Sequence, residues 1–371
     1  MIIPIIYFQG VKKMKCSIYP YILIILIFSS FNMISAQENN IRPVRDNVGF
    51  CWYASEMDTL MNYLSKNSEN TALEEGLLIG GISPHDDYLY AGRVYYPLYK
   101  VIRAKEVVIF GVTHGTVRQA MNDPKNVLIL DDYKYWKGPY KNVEISPLRE
   151  LIKSKLNRNY YMVSDKAQDI EHSIEALVPF LQYYNREVKI TPIMVTQMPF
   201  ERMDSISTDL AEIIKNYITS NNLRPGKDIF FLISTDADHY GEDFNNSPFG
   251  EDAKAHQEAT SNDRRIADTY LNQDLTHKDI EGLKDELWGS PEIKTPVPLW
   301  CGKYSIPFGL LSIYNISKDL NLKELKSKFL KYSDSWTEKT LPVYGTHMGT
   351  TAPFSLKHWC GYVAAGIYVS K

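Results

Sequence analysis

The stretch Asp228-Ile229-Phe230-Phe231-Leu232-Ile233-Ser234 carries no polar side chain between its two ends. A run of that length and composition suits a strand buried on both faces, as the central strands of parallel sheets are. It empties into Thr235-Asp236-Ala237-Asp238-His239-Tyr240-Gly241, where polarity returns at once. Two other apolar runs end the same way. Leu77–Ser83 leads into Pro84-His85-Asp86-Asp87-Tyr88, and residues 107–111 lead into Val112-Thr113-His114-Gly115. In open α/β sheets, ligands gather where strands end and the chain turns outward. Imidazole is both a metal ligand and a proton carrier near neutral pH. Three histidines delivered to one sheet edge therefore predict one pocket.

Working outward from these strands, helical and strand-like segments alternate. Spacing predicts a helix over 55–66, with Met57, Leu60, Met61 and Leu64 on one face. Further helices are expected over 91–104, 147–156, 171–184, 202–219, 253–271, 277–287 and 307–315. Strands are expected over 77–83, 106–111, 126–130, 188–195, 228–234 and 362–369. Alternation of this kind predicts an α/β fold with a mostly parallel central sheet flanked by helices on both faces. No repeat or linker divides the chain, so residues 37–371 are expected to form a single domain.

The 371 residues are 44% hydrophobic and 23% charged, an ordinary globular balance. A net charge of −3 gives no electrostatic footprint for nucleic acid. Lys12, Lys13 and Lys15 precede an apolar run over 21–28, and Ile34-Ser35-Ala36-Gln37 supplies a small-residue exit. That pattern predicts a secretory signal peptide over residues 1–36, with Met14 as an alternative start. The apolar run is shorter than the roughly 20 residues of a membrane span. The expectation is a secreted or periplasmic protein with no membrane span in its mature form. Cleavage would leave Cys51, Cys301 and Cys360, an odd set with at least one thiol unpaired internally.

Each chemistry-bearing residue also has a plain structural explanation. His85 and His114 suit hydrogen-bonded histidines at strand ends as well as ligands. Asp236 and His239, three residues apart, suit a turn as well as a general acid–base pair. Glu171 and Glu175 suit the first turn of a helix, where acidic side chains meet the dipole. His172 there is placed to support a ligand from behind. Cys301 suits a buried structural cysteine, or a thiolate favoured by a helix end and a metal.

Taken together, the motifs resemble the Memo-like proteins, a family similar in fold to the class III extradiol dioxygenases. The resemblance runs from about Arg42 to the C-terminus. It rests on Val48-Gly49-Phe50-Cys51-Trp52-Tyr53, Ser83-Pro84-His85 with Tyr88, the His114 loop, and Glu171-His172-Ser173-Ile174-Glu175 with Pro179-Phe180. Asp236 with His239, Cys301-Gly302 with Ile306-Pro307, and Tyr362 with Ala364-Ala365-Gly366 complete it. The resemblance implies a metal site of His85, His114 and Cys301. It puts His239 in the acid–base position, with Asp236 beside it. Asp87, Tyr88, His172, Glu175, Trp52 and Lys303 are expected to contact substrate or support the ligands. A thiolate in place of the usual carboxylate softens the set, which favours copper or zinc and still admits ferrous iron; with the redox activity that the resemblance implies, iron or copper is expected rather than zinc. The implied activity is a metal-dependent, dioxygenase-like redox reaction on a small molecule. The alternatives are a non-enzymatic peptide- or ligand-binding protein, with Trp52 and Tyr88 on the cleft wall, and a zinc hydrolase. Prokaryotic relatives are associated with a radical-SAM partner, which export would deny to this chain. Export also suggests a Cys51–Cys360 disulfide that leaves Cys301 free for metal.

Overall fold

Ile229–Ser234 forms β9, and all six of its residues are buried. It lies between two parallel neighbours, β3 (Glu106–Val112) and β2 (Leu77–Ser83). The structure is a computed structural model that describes residues 40–69 and 74–370. The expected signal peptide, residues 1–36, falls outside the described residues. Residues Ile41–Lys371 make one compact unit.

The remaining strands are β1 (Ile41–Arg42), β4 (Leu128–Leu130), β5 (Tyr135–Trp136), β6 (Val143–Ile145), β7 (Tyr161–Val163), β8 (Lys189–Val195), β10 (His239–Gly241), β11 (Leu325–Asp334) and β12 (His358–Val369). They form a 12-stranded sheet in the order β1-β5-β6-β8-β3-β9-β2-β12-β10, with β11 on β12, and β4 paired with both β7 and β8. The centre, β6-β8-β3-β9-β2, is parallel throughout. The margin built on β12 is antiparallel to β2, β10 and β11. The sheet is therefore parallel at its core and mixed at its edges.

Side chains of the central strands alternate between two cores. Val108, Phe110, Phe231 and Ile233 face one core, and Val107, Ile109, Phe230 and Leu232 the other. Both faces must then be covered by helices. The first core is closed by α4 (Leu148–Lys155), α7 (Phe200–Ser220), α8 (Ala253–Tyr270), α9 (His277–Trp288) and α10 (Ser305–Asp319). The second is closed by α1 (Ala54–Asn67), α2 (Tyr88–Tyr99) and α6 (Val178–Tyr184). Two short helices, α3 (Gly115–Ala120) and α5 (Asp165–Asp169), complete the set. Truncating a fully buried side chain such as Phe231 removes contacts from a closed layer, a loss of about 3–5 kcal/mol.

Three expectations are corrected. The helix expected over 91–104 begins at Tyr88 and ends at Tyr99, because Asp87 already starts the first turn with its carbonyl. The helix expected over 171–184 is shorter. Glu171 draws the backbone N–H groups of His172 and Ser173 onto its own carboxylate, which holds that segment as a turn. Only Glu175–Leu177, a 3₁₀ turn, and then α6 are helical. β11 was not expected, since Lys326, Lys328 and Lys331 mask its pattern; lysines of this kind are usual on edge strands. Among the described residues, no helix is long and apolar enough to cross a membrane.

Candidate metal centre

β3, β9 and β2 run side by side in one direction, so their C-terminal ends open on one edge. Neighbouring strands lie about 4.8 Å apart, so short loops suffice to bring their first side chains together. His114 follows β3, Asp236 follows β9 and His85 follows β2. The His85 and His114 rings meet edge to face, 5.1 Å between centroids. Cys301 arrives from the loop ahead of α10, with Sγ 3.4 Å from His85 Nε2. Ligand atoms of His85, His114 and Cys301 all lie within 4.8 Å of one another.

Hydrogen bonds fix which imidazole nitrogen is free. Ser234 donates its single hydroxyl hydrogen to the Ser173 carbonyl at 2.6 Å. Its oxygen can therefore only accept from His85 Nδ1, which lies 2.7 Å away. His85 is left with a bare lone pair on Nε2. His114 Nδ1 sits 2.7 Å from Glu171 Oε1, and a carboxylate there likewise keeps the proton on Nδ1. His239 points Nδ1 at the Ala237 carbonyl, 3.2 Å away, which frees its Nε2 as well.

Glu171 is the residue that sequence reasoning undervalued. It is buried, and it accepts from the His114 backbone N–H at 3.0 Å as well as from the His114 ring. Burial alone would raise its carboxyl, but the His114 and His172 imidazoles and the N–H donors outweigh that and hold it well below the usual range. The only signal in the sequence was its place beside His172. Nothing local showed that it would reach the β3 loop.

Burial also sets the charge of the other groups. It pushes His85 well below an ordinary histidine, helped by repulsion from His114 and His172. It lowers His239 to about 4, with His114 adding to the effect. It raises the Cys301 thiol, as does the nearby Asp236 carboxyl. Asp236 is itself raised by burial and by Asp86. The His85 and His239 rings are therefore neutral at pH 7, the state in which histidine binds a metal.

The structure brings together some of the expected residues and separates others. His85, His114, Cys301, His239 and Asp236 converge. Asp236, however, serves His85 rather than His239. Its carboxylate accepts the His85 backbone N–H at 3.0 Å and lies 3.3 Å from His85 Nε2. Ligand atoms of Asp236, His239 and Cys301 also fall within 4.8 Å of each other. His172 stacks on the His114 ring at 4.7 Å, a supporting position. Lys303 lines the cleft beside the cluster.

Five other expectations are corrected. Tyr88 is fully buried among Phe50, Tyr95 and Phe180, with its hydroxyl donating to the Ala176 carbonyl, so it is a core residue. Trp52 donates its indole N–H to the Asp46 carbonyl at 2.6 Å and does not line the cleft. Glu175 pairs with buried Arg42 and accepts the Arg45 and Asp46 backbone N–H groups, which anchors the start of the fold instead of the ligands. Asp87 accepts from the Thr351 backbone N–H and hydroxyl, and so ties down a distant loop. The expected disulfide is absent, because Cys51 and Cys360 are both free. Cys51 Sγ packs 3.0 Å from Met348 Sδ, while Cys360 sits within β12 opposite His239.

Beside the cluster lies a cleft of about 210 Å³. His114, His239 and Cys301 line it, with Phe244, Leu299 and Tyr304 as apolar walls. Arg118 and Lys303 line it too. Arg118, Phe244 and Tyr304 belong to no local motif that singles them out.

A sequence profile described as Memo-like protein matches residues 47–342. A MEMO1 family protein of Methanosarcina barkeri is 29% identical over 191 residues, 51% of this chain and 65% of that protein. One from Methanosarcina mazei is 27% identical over 64% of this chain and 76% of its own length. One from Aquifex aeolicus is 35% identical over 42% of this chain and 52% of its own. The aligned region thus spans between about half and three quarters of these relatives.

Proposed function

We propose a function from one premise: the chain belongs to the Memo-like family. It is a metal-dependent, dioxygenase-like redox enzyme that acts on a small substrate at the His85–His114–Cys301 cluster. One observation carries this reading. Both imidazoles have Nδ1 tied to an acceptor behind them, so their Nε2 lone pairs are free beside a thiol within 4.8 Å. Two imidazoles and a thiol, with room beside them, match the donor set of an open metal site. His85, His114 and Cys301 would hold the ion, and Asp236 would adjoin it. Bound there, iron or copper would supply Lewis acidity and one-electron chemistry toward oxygen.

The chain's own residues do the rest. His239, neutral at pH 7 and with Nε2 free, accepts the acidic proton of a phenolic substrate in the cleft. Glu171 keeps His114 oriented, and Ser234 does the same for His85. Phe244, Leu299 and Tyr304 exclude water from one side of the substrate. The peptide-binding alternative relied on Trp52 and Tyr88, and neither lines the cleft.

Elemental analysis of the purified protein, paired with oxygen uptake on catechol-type phenols, tests the proposal. Bound iron or copper, lost in His85→Ala, is the expected result; in Cys301→Ser bound copper is lost and bound iron is weakened less. Metal-free protein, with His85→Ala changing nothing, would overturn it. We also propose export, on the pattern of Lys12 to Gln37. Export would separate the chain from a cytosolic radical-SAM partner. A mature N-terminus near Gln37, read by Edman sequencing, is the expected outcome.

A further inference from the structure

Several cations of this fold are paired with carboxylates. Arg42, Arg149, Arg224 and Arg265 pair with Glu175, Asp131, Asp228 and Glu286 respectively. Two that line the metal cleft are not. Among the described residues, neither Arg118 nor Lys303 forms an ion pair; Lys303 has only the Tyr304 ring, 5.7 Å from Nζ. Lys303 is half-buried, and a partly desolvated ammonium without a counter-charge is unfavourable. Its backbone is fixed regardless. Lys303 N–H donates to the Trp300 carbonyl at 3.2 Å, and its own carbonyl accepts the Trp288 indole N–H at 2.6 Å. The side chain is thus presented to the cleft by a rigid turn two residues past Cys301.

Arg118 lines the same cleft from α3, four residues past His114. Its guanidinium folds back over Gly115, and a Cβ built there would lie 3.8 Å from its terminal nitrogen. A β-carbon is tolerated at that distance, so the glycine is not what forces the fold-back. Two uncompensated cations therefore flank one small cleft whose other walls are apolar. The carboxyl groups nearby, Glu171 and Asp236, are buried and already committed to His114 and His85.

We infer that the cleft takes a small organic acid, with its anionic head between Arg118 and Lys303 and its apolar body against Phe244, Leu299 and Tyr304. This rests on the proposed function, and it names the substrate class for that same cleft. A guanidinium can grip a carboxylate or a phosphate with two parallel hydrogen bonds, and an ammonium adds a point charge. The apolar walls then turn the reacting end of the molecule toward His114, His239 and Cys301.

The test is a calorimetric titration with phenylacetate, phenylacetamide, phenyl phosphate and inorganic phosphate, on protein as isolated and after chelator treatment. Phenylacetate is expected to bind at least about tenfold more tightly than the isosteric amide, as one charge-assisted contact would give. Arg118→Gln and Lys303→Met should each weaken the acid and leave the amide unchanged, while Arg118→Lys restores part of the loss. Arg118 is exposed on a short helix, so its variants keep the fold. Tighter binding of phenyl phosphate than of phenylacetate also supports the inference and assigns the head group. Equal binding of acid and amide overturns it, as does inorganic phosphate matching phenyl phosphate, or no binding by any probe. The chelator-treated arm separates the two proposals. Acid binding that depends on Arg118 in protein that never held metal leaves the cleft assignment standing and removes the redox reading.

Discussion

Glu171→Gln is the substitution that best separates a built ligand site from a chance cluster. The native carboxylate accepts four N–H groups. Oε1 takes the His114 ring at 2.7 Å and the His172 and Ser173 backbones at 2.9 Å each, and Oε2 takes the His114 backbone at 3.0 Å. Glutamine keeps the shape but has one oxygen, so its NH₂ must face at least one of those donors. A buried donor left without an acceptor loses about 1–3 kcal/mol of stability. Loss of the charge behind His114 should also weaken metal binding by about 10–100-fold. The acid dependence gives a second handle. The folded carboxyl lies below its unfolded value of 4.5, so its contribution is present above that pH and fades as pH falls toward the folded value. Urea denaturation should therefore show a wild-type advantage at neutral pH that shrinks in acid. Competition against a chelator measures the metal term on the same preparations. A variant that binds metal like the wild type, with an undiminished stability gap in acid, would refute the reasoning.

Three other outcomes follow from the same contacts. Cys301→Ser keeps an acceptor for the Asp236 N–H, now 3.0 Å from sulfur, so the fold should persist while copper or zinc affinity falls far more than ferrous iron affinity in competition titrations. Gly302→Ala would put a Cβ 2.2 Å from Thr235 Oγ1, which pushes the Cys301 turn off the end of β9; metal content should fall with little change in far-UV dichroism. Asp87 is raised to about 7 by burial and by Asp86, so the folded state binds the extra proton and loses stability as pH rises toward 7. Asp87→Asn should flatten that slope in melting temperature between acid and neutral pH, after a constant loss from its weakened grip on Thr351.

The site's position was legible in the sequence because strand ends are. Leu77–Ser83, Glu106–Val112 and Ile229–Ser234 are continuous apolar runs, and their buried alternation follows from helices on both faces. The histidines that follow them could then be placed on one edge. What failed was anything that depends on pairing across long separations. Glu171 reaches back 57 residues to His114, and Asp87 reaches forward 264 residues to Thr351. Neither link leaves a local trace. Tyr88 and Trp52 are expected at the cleft only because they sit in motifs of the resemblance, whereas helix geometry turns Tyr88 into the second core. The likeness in fold to the class III extradiol dioxygenases rests on the motifs alone, while the mixed α/β sheet stands on the strand pairings.

The three imidazoles around the cleft are held by three different acceptors, and that difference sorts their roles. A carboxylate behind a ring fixes its tautomer and orientation most firmly, and His114, backed by Glu171, is the ring held that way. His85 is backed by a hydroxyl that is itself committed to the Ser173 carbonyl, which fixes its orientation but adds little charge. His239 has backbone carbonyls alone behind it, that of Ala237 at 3.2 Å, the longest of the three contacts, and that of Leu299, and its ring meets Phe244 edge on. It is therefore the ring least tied to the cluster and the one free to exchange a proton with substrate. Its shift to about 4 places it in the base form across the neutral range. A substrate anion held by Arg118 and Lys303 would find the two strongly fixed rings on one side and the loosely held one beside it. That asymmetry is what a site needs if two histidines are to bind a metal and the third is to move a proton.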